Sequence, residues 1–210
     1  FDLPTRYAPI QLQTEAHLNT LAISPDGTRA LAGGDDGKVF VWDTATGRTT
    51  VRFPERHSEY VLHVAWSPDG QRAISGDSKG GVVVWDVAEG KALHVFPAGG
   101  TDLVAAVGFF PDGNRMWACR QKRLTVWDAK LGKEVLTIDP PNGTPFHHAA
   151  LSPKGDHFLT ADNGAARLWD AATGAPGFKL DSGYASWVGQ VAFAPEGKRV
   201  ASGDLSLIHI

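Results

Sequence analysis

The sequence predicts an all-β chain built from consecutive four-stranded antiparallel sheets, because two short markers recur along it in phase. The first marker is an apolar strand that ends in Trp-Asp. It occurs four times, with steps of 43, 42 and 42 residues: Trp42-Asp43, Trp85-Asp86, Trp127-Asp128 and Trp169-Asp170. The second marker is a Pro-x-Gly turn, which occurs five times with the same period: Pro25, Pro68, Pro111, Pro153 and Pro195. Since Pro presets φ and Gly tolerates positive φ, this pairing is typical of tight turns.

Bulk composition narrows the class of protein. The chain has 210 residues, of which 42% are hydrophobic and 20% charged, and this is ordinary for a globular protein. A net charge of −3 argues against a nucleic-acid or membrane-surface binder. No apolar run reaches the roughly 18 residues of a spanning helix, and no signal-peptide pattern is present. Cys119 is the only cysteine, so an internal disulfide is excluded and the compartment is left open.

Each repeat unit contains the same elements in the same order. A first strand carries the pattern apolar-x-x-apolar-x-apolar, as in Val61, Val64 and Trp66, and the Pro-x-Gly turn follows it. A second short strand then leads through a tight turn into the Trp strand. Asp36-Gly37 and Asn163-Gly164 are strong signals for that turn, because type I′ hairpins need positive φ at both central residues. After Trp-Asp, another Gly-containing turn precedes a fourth strand.

These patterns divide the chain into units. Residues 1–17 form a lead-in, in which Ile10–Gln13 alternates and could be one strand of another unit. The predicted units span residues 18–57, 58–100, 101–143, 144–183 and, as a partial unit, 184–210. The Trp strands are apolar on both faces, so each sheet must be covered on both sides. A single unit of about 42 residues cannot do that alone, whereas radial stacking can. We therefore predict a β-propeller of four-stranded antiparallel blades, four complete and one partial.

The Trp-Asp endings, the Ser-Pro-Asp-Gly turns at 24–27 and 67–70, and the period together resemble the WD-repeat (WD40) β-propeller family over about residues 18–204. The resemblance implies a non-catalytic scaffold that mediates protein–protein interactions through loops on one face of the propeller. Family members usually have about seven blades, so the expectation is a fragment of a longer chain. A closed five-blade ring that uses Ile10–Gln13 is the alternative. An incomplete ring would expose apolar sheet faces, so self-association is also expected.

Blades of this family often carry a hydrogen-bonded set of four side chains, which comprises a His, a Ser or Thr, an Asp and the Trp. In unit two the resemblance assigns His57, Ser75 and Trp85 to this set, with Lys79 where the turn Asp would stand. Unit one keeps Asp36, but it has Ala in place of the hydroxyl residue. Unit two is therefore predicted to hold the best-ordered polar cluster. The other residues with a predicted structural role are the repeated ones: Trp42, Asp43, Asp86, Trp127, Asp128, Trp169 and Asp170.

Candidate partner-binding residues lie in the loops. The turn of unit three reads Arg120-Gln121-Lys122-Arg123 and predicts a basic spot for an acidic partner, with Lys79 in unit two adding a cation. The resemblance implies that this turn shares a face with the loops before the first strands. Exposed aromatic residues are typical interface anchors, and those loops contain three: Tyr60, Tyr184 and Trp187. A solvated polar turn is the alternative interpretation of the basic stretch.

The sequence favours no catalytic residue, cofactor site or metal site. His147 and His148 are adjacent, so on a strand they point to opposite faces and cannot chelate together. Cys119 lies beside Trp117 and is expected in the core. A propeller enzyme would need converging polar residues on the innermost strands, where His63 and His148 are among the few polar candidates. The remaining alternative is a sensing or docking domain of a larger multidomain, possibly enzymatic, protein. The expected partners are proteins or peptides, with no nucleic acid and no membrane.

Overall fold

The structure is a computed structural model, and it describes residues 17–98, 100, 102–181, 188–203 and 208–209. The described residues form four full blades and a partial fifth. Blades 1 and 2 contain β1 (Leu18–Ile23), β2 (Arg29–Gly34), β3 (Val39–Asp43), β4 (Thr49–Arg52), β5 (Val61–Trp66), β6 (Arg72–Asp77), β7 (Val82–Asp86) and β8 (Lys91–Phe96). Blade 3 contains β9 (Val104–Phe109), β10 (Arg115–Arg120), β11 (Arg123–Asp128) and β12 (Glu134–Ile138). Blade 4 contains β13 (His148–Leu151), β14 (His157–Asp162), β15 (Ala165–Asp170) and β16 (Pro176–Asp181), and the partial blade 5 contains β17 (Gln190–Phe193), β18 (Val200–Gly203) and β19 (Ile208–His209).

Every blade is an antiparallel sheet whose strands pair in chain order. The first strands of successive blades lie next to one another, with β1 beside β5, β5 beside β9 and β13 beside β17. First strands are therefore innermost, and the sheets are stacked around an axis as a β-propeller. Outside the strands, the described residues contain one short 3₁₀ turn, Pro141–Gly143. None of the helical structure in the described part of the chain has the length and apolar character needed to cross a bilayer.

Alternating strand direction sorts the connections onto two faces. We call one the loop face; it carries the loops before the first strands and the hairpin turns between second and third strands, and its described residues include 35–38, 54–60, 78–81, 102–103, 121–122, 139–147 and 163–164. The other, the turn face, carries the Pro-x-Gly turns and the turns that follow Trp-Asp: residues 24–28, 44–48, 67–71, 87–90, 110–114, 129–133, 152–156, 171–175 and 194–199.

The hydrophobic core lies between neighbouring blades rather than in one central mass. Leu31 and Val41 of blade 1 pack with Trp66 and Trp85 of blade 2, and equivalent clusters fill the later junctions. The four Trp-Asp indoles are at most 6% exposed. Each removes roughly 150–250 Å² of largely apolar surface from water, which contributes about 4–6 kcal/mol by area. Burial of apolar side chains between neighbouring blades is thus the main source of stability.

A recurring arginine ties adjacent blades together on the turn face. Arg29 and Arg72 begin the second strands of blades 1 and 2, and each donates from Nη2, at 2.8 Å, to the carbonyl oxygen of Gly70 or Gly113 in the next blade's Pro-x-Gly turn. Arg115 holds the same position in blade 3 but bonds within its own turn, to Asp112 at 3.4 Å. These inter-blade bonds were not predicted from the sequence. The recurrence of an arginine at the same position of successive units could have indicated them.

The face of blade 1 that points away from blade 2 is more exposed than the corresponding face of blade 2. Leu21 and Ile23 on β1 are 54% and 52% exposed, whereas Val64 and Trp66, one period later on β5, are both 9% exposed. In blade 2 the preceding blade covers these positions. The same positions in blade 1 point away from blade 2 and remain in contact with solvent.

Candidate functional site

Blade 2 holds a buried polar network directly beneath the loop face. His57 Nδ1 lies 2.7 Å from Asp77 Oδ2, and His57 Nε2 lies 2.7 Å from Ser75 Oγ. The Trp85 indole Nε1–H donates to the same hydroxyl at 2.8 Å. We assign the imidazole proton to Nδ1, because the carboxylate can only accept. The structure thus brings together His57, Ser75 and Trp85, the three residues that the family resemblance assigned to one set in unit two.

The acid of this network is Asp77, and the interpretation that Lys79 leaves unit two without one is wrong. Asp77 is the last residue of β6, and its Oδ1 accepts the backbone N–H groups of Lys79 at 2.9 Å and Gly81 at 2.8 Å. Burial by itself raises the pKa of the Asp77 carboxyl. The hydrogen bonds from His57, Gly81 and Lys79 outweigh burial, so the pKa is lowered and the carboxylate stays ionised.

Ser75, His57 and Asp77 follow the order of a hydrolytic triad, but their surroundings rule out that use. A nucleophilic serine must be reachable by substrate. Ser75 is 0% exposed, and its hydroxyl already accepts the Trp85 indole N–H. The network therefore fixes the loop before β5 against the second and third strands of blade 2.

The other blades keep only parts of this network. In blade 4 the Trp169 indole donates to Thr160 Oγ1 at 2.8 Å. In blade 1 Ala32 stands where Ser75 stands in blade 2, and within the described residues the buried Trp42 Nε1 has no hydrogen-bond partner. Asp36 bonds instead to Lys38, through the backbone N–H at 3.1 Å and the ammonium at 3.1 Å. Blade 2 thus has the most complete polar cluster among the described residues.

The aspartates that end the Trp strands close the following turns. Asp43 Oδ1 accepts the backbone N–H groups of Ala45 at 3.1 Å and Thr46 at 2.8 Å. The other three bond in the same way to their own turns: Asp86, Asp128 and Asp170. For Asp43 the Thr46 hydroxyl is the main cause of a lowered pKa. The repetition of this bond in every full blade marks a structural role.

Arg120 lies in a different environment from the rest of the predicted basic spot. It is half-buried, its Nε donates to the Gly80 carbonyl oxygen at 2.8 Å, and its guanidinium lies 5.7 Å from the Trp127 ring. Burial lowers the pKa of Arg120, while Asp77, Glu134 and Asp102 oppose that effect. Arg120 therefore links blade 3 to the hairpin turn of blade 2.

The other two cations of this turn are on the surface and already paired. Lys122 Nζ lies 2.8 Å from Asp102 Oδ1, and the lysine side chain is 76% exposed. Arg123 bonds to both carboxylate oxygens of Asp139, at 2.7 and 3.3 Å, and is 52% exposed. The spot is thus a pair of exposed salt bridges, with little excess positive charge.

Tyr60 and Lys79 both lie on the loop face, in neighbouring connections of blade 2. The Tyr60 carbonyl accepts the Ser78 N–H at 2.9 Å, which places the loop before β5 against the β6–β7 turn. Tyr60 is 53% exposed and Lys79 is also exposed. Tyr184 and Trp187, the other predicted aromatic anchors, fall outside the described residues.

The inner strands carry two half-buried histidines, His63 on β5 and His148 on β13. Burial lowers the pKa of His63 on β5 to about 4, with His148 adding repulsion. His148 Nδ1 accepts the Val191 N–H of blade 5 at 3.4 Å, whereas His147 Nε2 lies 2.8 Å from Asn163 Oδ1.

Across the described residues, no group of three or more His, Cys, Asp or Glu could hold a metal ion. Cys119 is fully buried, and burial raises the pKa of its thiol.

Comparison with known proteins agrees with the geometry. The family model described as "WD domain, G-beta repeat" matches residues 10–43 and 48–86. The chain therefore contains WD40 repeats within a β-propeller fold. WD40 propellers are generally non-catalytic, and their fold is that of a protein-interaction scaffold.

Relatives of this WD40 chain include one curated protein and one solved structure. A segment of 39 residues, 19% of the chain, is 46% identical to the Periodic tryptophan protein 2 homolog of Dictyostelium discoideum and covers 4% of that protein. The β-propeller domain of Cps50 (Swd1) from Myceliophteria thermophila superimposes with a TM-score of 0.80 at 18% identity, covering 90% of this chain and 62% of that one. The WD40 chain thus spans under two thirds of each relative's length.

Proposed function

We propose that this WD40 propeller is a non-catalytic scaffold whose loop face binds a protein partner around blades 2 and 3. The observation that carries the proposal is that the exposed Tyr60 and Lys79 lie on two connections of the loop face, which the bond between the Tyr60 carbonyl and the Ser78 N–H joins. Tyr is one of the residue types enriched in interface hot spots. The buried network of His57, Ser75 and Asp77 lies just below and keeps these loops in place without a partner, which reduces the entropic cost of binding.

The salt bridges of blade 3 extend this surface. Lys122 and Arg123 keep most of their side chains in solvent while paired to Asp102 and Asp139. Exposed pairs contribute about 0–1 kcal/mol each, so a partner carboxylate can exchange with either aspartate at little cost. Such rim charges act mainly on association rate and specificity. Arg120 contributes indirectly, by fixing the turn from which Lys122 and Arg123 project.

The proposed partners are proteins or peptides rather than nucleic acid or membranes. The net charge of −3 and the pairing of Lys122 and Arg123 with acidic side chains support this choice. Self-association is a second proposal of the same kind. Its support is the exposure of Leu21 and Ile23 on the uncovered face of blade 1, where a second apolar surface could pack.

An affinity experiment tests the loop-face proposal. The immobilised 210-residue chain is incubated with lysate of its source cells, and retained proteins are quantified by mass spectrometry. The Tyr60→Ala/Lys79→Glu double variant is expected to lose at least about tenfold of each specifically retained partner, since hot-spot truncations cost more than about 1.4 kcal/mol. Because both side chains are exposed, the variant should unfold at the same temperature as the parent.

The matched control is Lys154→Glu, which reverses an exposed cation on the turn face. It should retain the same partners as the parent chain. If the double variant retains an unchanged set, or if Lys154→Glu loses the same proteins, partner binding does not depend on this part of the loop face.

A further inference from the structure

A cleft opens on the turn face between blades 2 and 3. Its volume is about 590 Å³, within the range of sites that hold small ligands or peptide side chains. Its walls include residues from both blades: Arg72, Leu93, His94, Asn114, Asp128 and Lys130. The cleft is on the opposite side of the propeller from Tyr60 and Lys79, so it is independent of the proposed loop-face function.

Two of the lining residues break the repeat. His94 pairs with Val84 in the β7–β8 ladder, and the positions that pair in the same way in the neighbouring blades hold aliphatic residues: Val51 opposite Val41 and Leu136 opposite Val126. Lys130 lies two residues after Asp128, where the other blades have Ala88 and Ala172. A feature that recurs in every blade serves the fold, as the Trp-Asp aspartates do. The His94 ring packs against Gly132 of the next blade as Val51 packs against Gly90, so the fold explains its bulk but not its polar ring nitrogens, and it does not explain Lys130.

The cleft offers more donors than acceptors. Within the described residues, neither the Lys130 ammonium, the His94 ring nor the Asn114 carboxamide makes a hydrogen bond. Arg72 donates from Nη2 to the Gly113 carbonyl oxygen, and the same nitrogen lies 3.7 Å from Asp69 Oδ2. A guanidinium has five N–H donors, so others remain for a ligand. Asp128 is the one carboxylate among the named lining residues, and its Oδ1 already accepts the N–H groups of Lys130 and Leu131.

We infer that this cleft binds a carboxylate side chain of an extended peptide from a partner protein. Arg72, Asn114 and Lys130 would receive the carboxylate, since a planar acid can accept from several N–H groups at once. Leu93, 38% exposed, supplies an apolar wall for the neighbouring side chain of the peptide. The favoured sequence is therefore an Asp or Glu flanked by an apolar residue.

The probe for this site is an acetylated and amidated Leu-Asp-Leu tripeptide, titrated into the ¹⁵N-labelled 210-residue chain. The resonances of the Asn114 side-chain amide and the His94 ring are expected to shift in a saturable manner. The matching Leu-Asn-Leu peptide should bind at least about fivefold more weakly, because it loses charge-assisted hydrogen bonds. Lys130→Ala, which copies the residue at 88 and 172, should weaken Leu-Asp-Leu binding by a similar factor.

Lys133→Ala is the control, because it removes an exposed lysine from the same turn without altering the lining of the cleft. The inference is overturned if Leu-Asn-Leu binds equally well, if Lys130→Ala leaves the affinity unchanged, or if Lys133→Ala weakens binding as much as Lys130→Ala does.

Discussion

The His57→Ala variant is expected to unfold with a free energy about 2–4 kcal/mol below that of the parent chain. Removing the imidazole leaves the Asp77 carboxylate, 5% exposed, without its buried partner, and Ser75 loses one of its two close contacts. Breaking a buried charged pair from one side costs far more than the pair contributes in net terms. Urea denaturation followed by tryptophan fluorescence measures the loss as a lower midpoint with an unchanged slope.

Two companion variants test whether the network itself is responsible. His17→Ala removes an exposed histidine from the loop before β1 and should change stability by less than about 0.5 kcal/mol. Ala32→Ser places a hydroxyl where blade 2 has Ser75, so the orphaned Trp42 Nε1 gains an acceptor and stability should rise by about 1 kcal/mol. A His57→Ala chain with the parent's denaturation midpoint would show that the network contributes nothing.

Acid is expected to destabilise the propeller from about pH 6.5 downward. The pKa of His63 is lowered from 6.5 to about 4 in the folded chain, so between these values the unfolded state binds a proton that the folded state does not. Stability then rises with pH across this window: it is complete above 6.5 and lost below about 4. Since one pKa unit corresponds to about 1.4 kcal/mol, the shift of His63 alone accounts for about 3–4 kcal/mol. Protonating His148 adds to the loss, because Nδ1 could no longer accept the Val191 N–H.

The measurement is a series of urea denaturations between pH 4 and pH 8. Replacing His63 with Gln removes the titrating group and should flatten most of the slope between pH 4 and 6.5. The lowered pKa values of carboxyls such as Asp26, at about 2, act at more acidic pH and leave this window to the histidines. A His63→Gln chain with the parent's full slope would contradict the assignment.

The repeat fixed the architecture in advance because its two markers are local. A Trp-Asp ending and a Pro-x-Gly turn each act within a few residues, and their common period allows only sheets of similar size stacked in series. Contacts between blades were harder to foresee. Arg72 reaches Gly113, and Arg120 reaches Gly80, over spacings of about 40 residues that only packing brings close.

The candidate site, too, was predicted only in part. The family resemblance grouped His57, Ser75 and Trp85, but Asp77 was missed because the acid was expected in the turn rather than at the end of β6. The predicted basic spot placed three cations together. Strand register instead turned Arg120 inward, and the surrounding loops supplied Asp102 and Asp139 to its neighbours. Which side chains pair across loops depends on how the loops pack in space, and the spacing of residues along the chain does not reveal that packing.

Hydroxyl-radical footprinting with mass spectrometry tests most directly the central claim that neighbouring blades shield the Trp strands and leave the loop face open. Trp85, Trp127 and Trp169, at most 6% exposed, should resist oxidation, while Tyr60 and Phe178, 53% and 79% exposed, should be modified readily. Oxidation of the three tryptophans at the rate seen for Tyr60 would contradict the stacked-blade architecture and, with it, the proposed rigid interaction face.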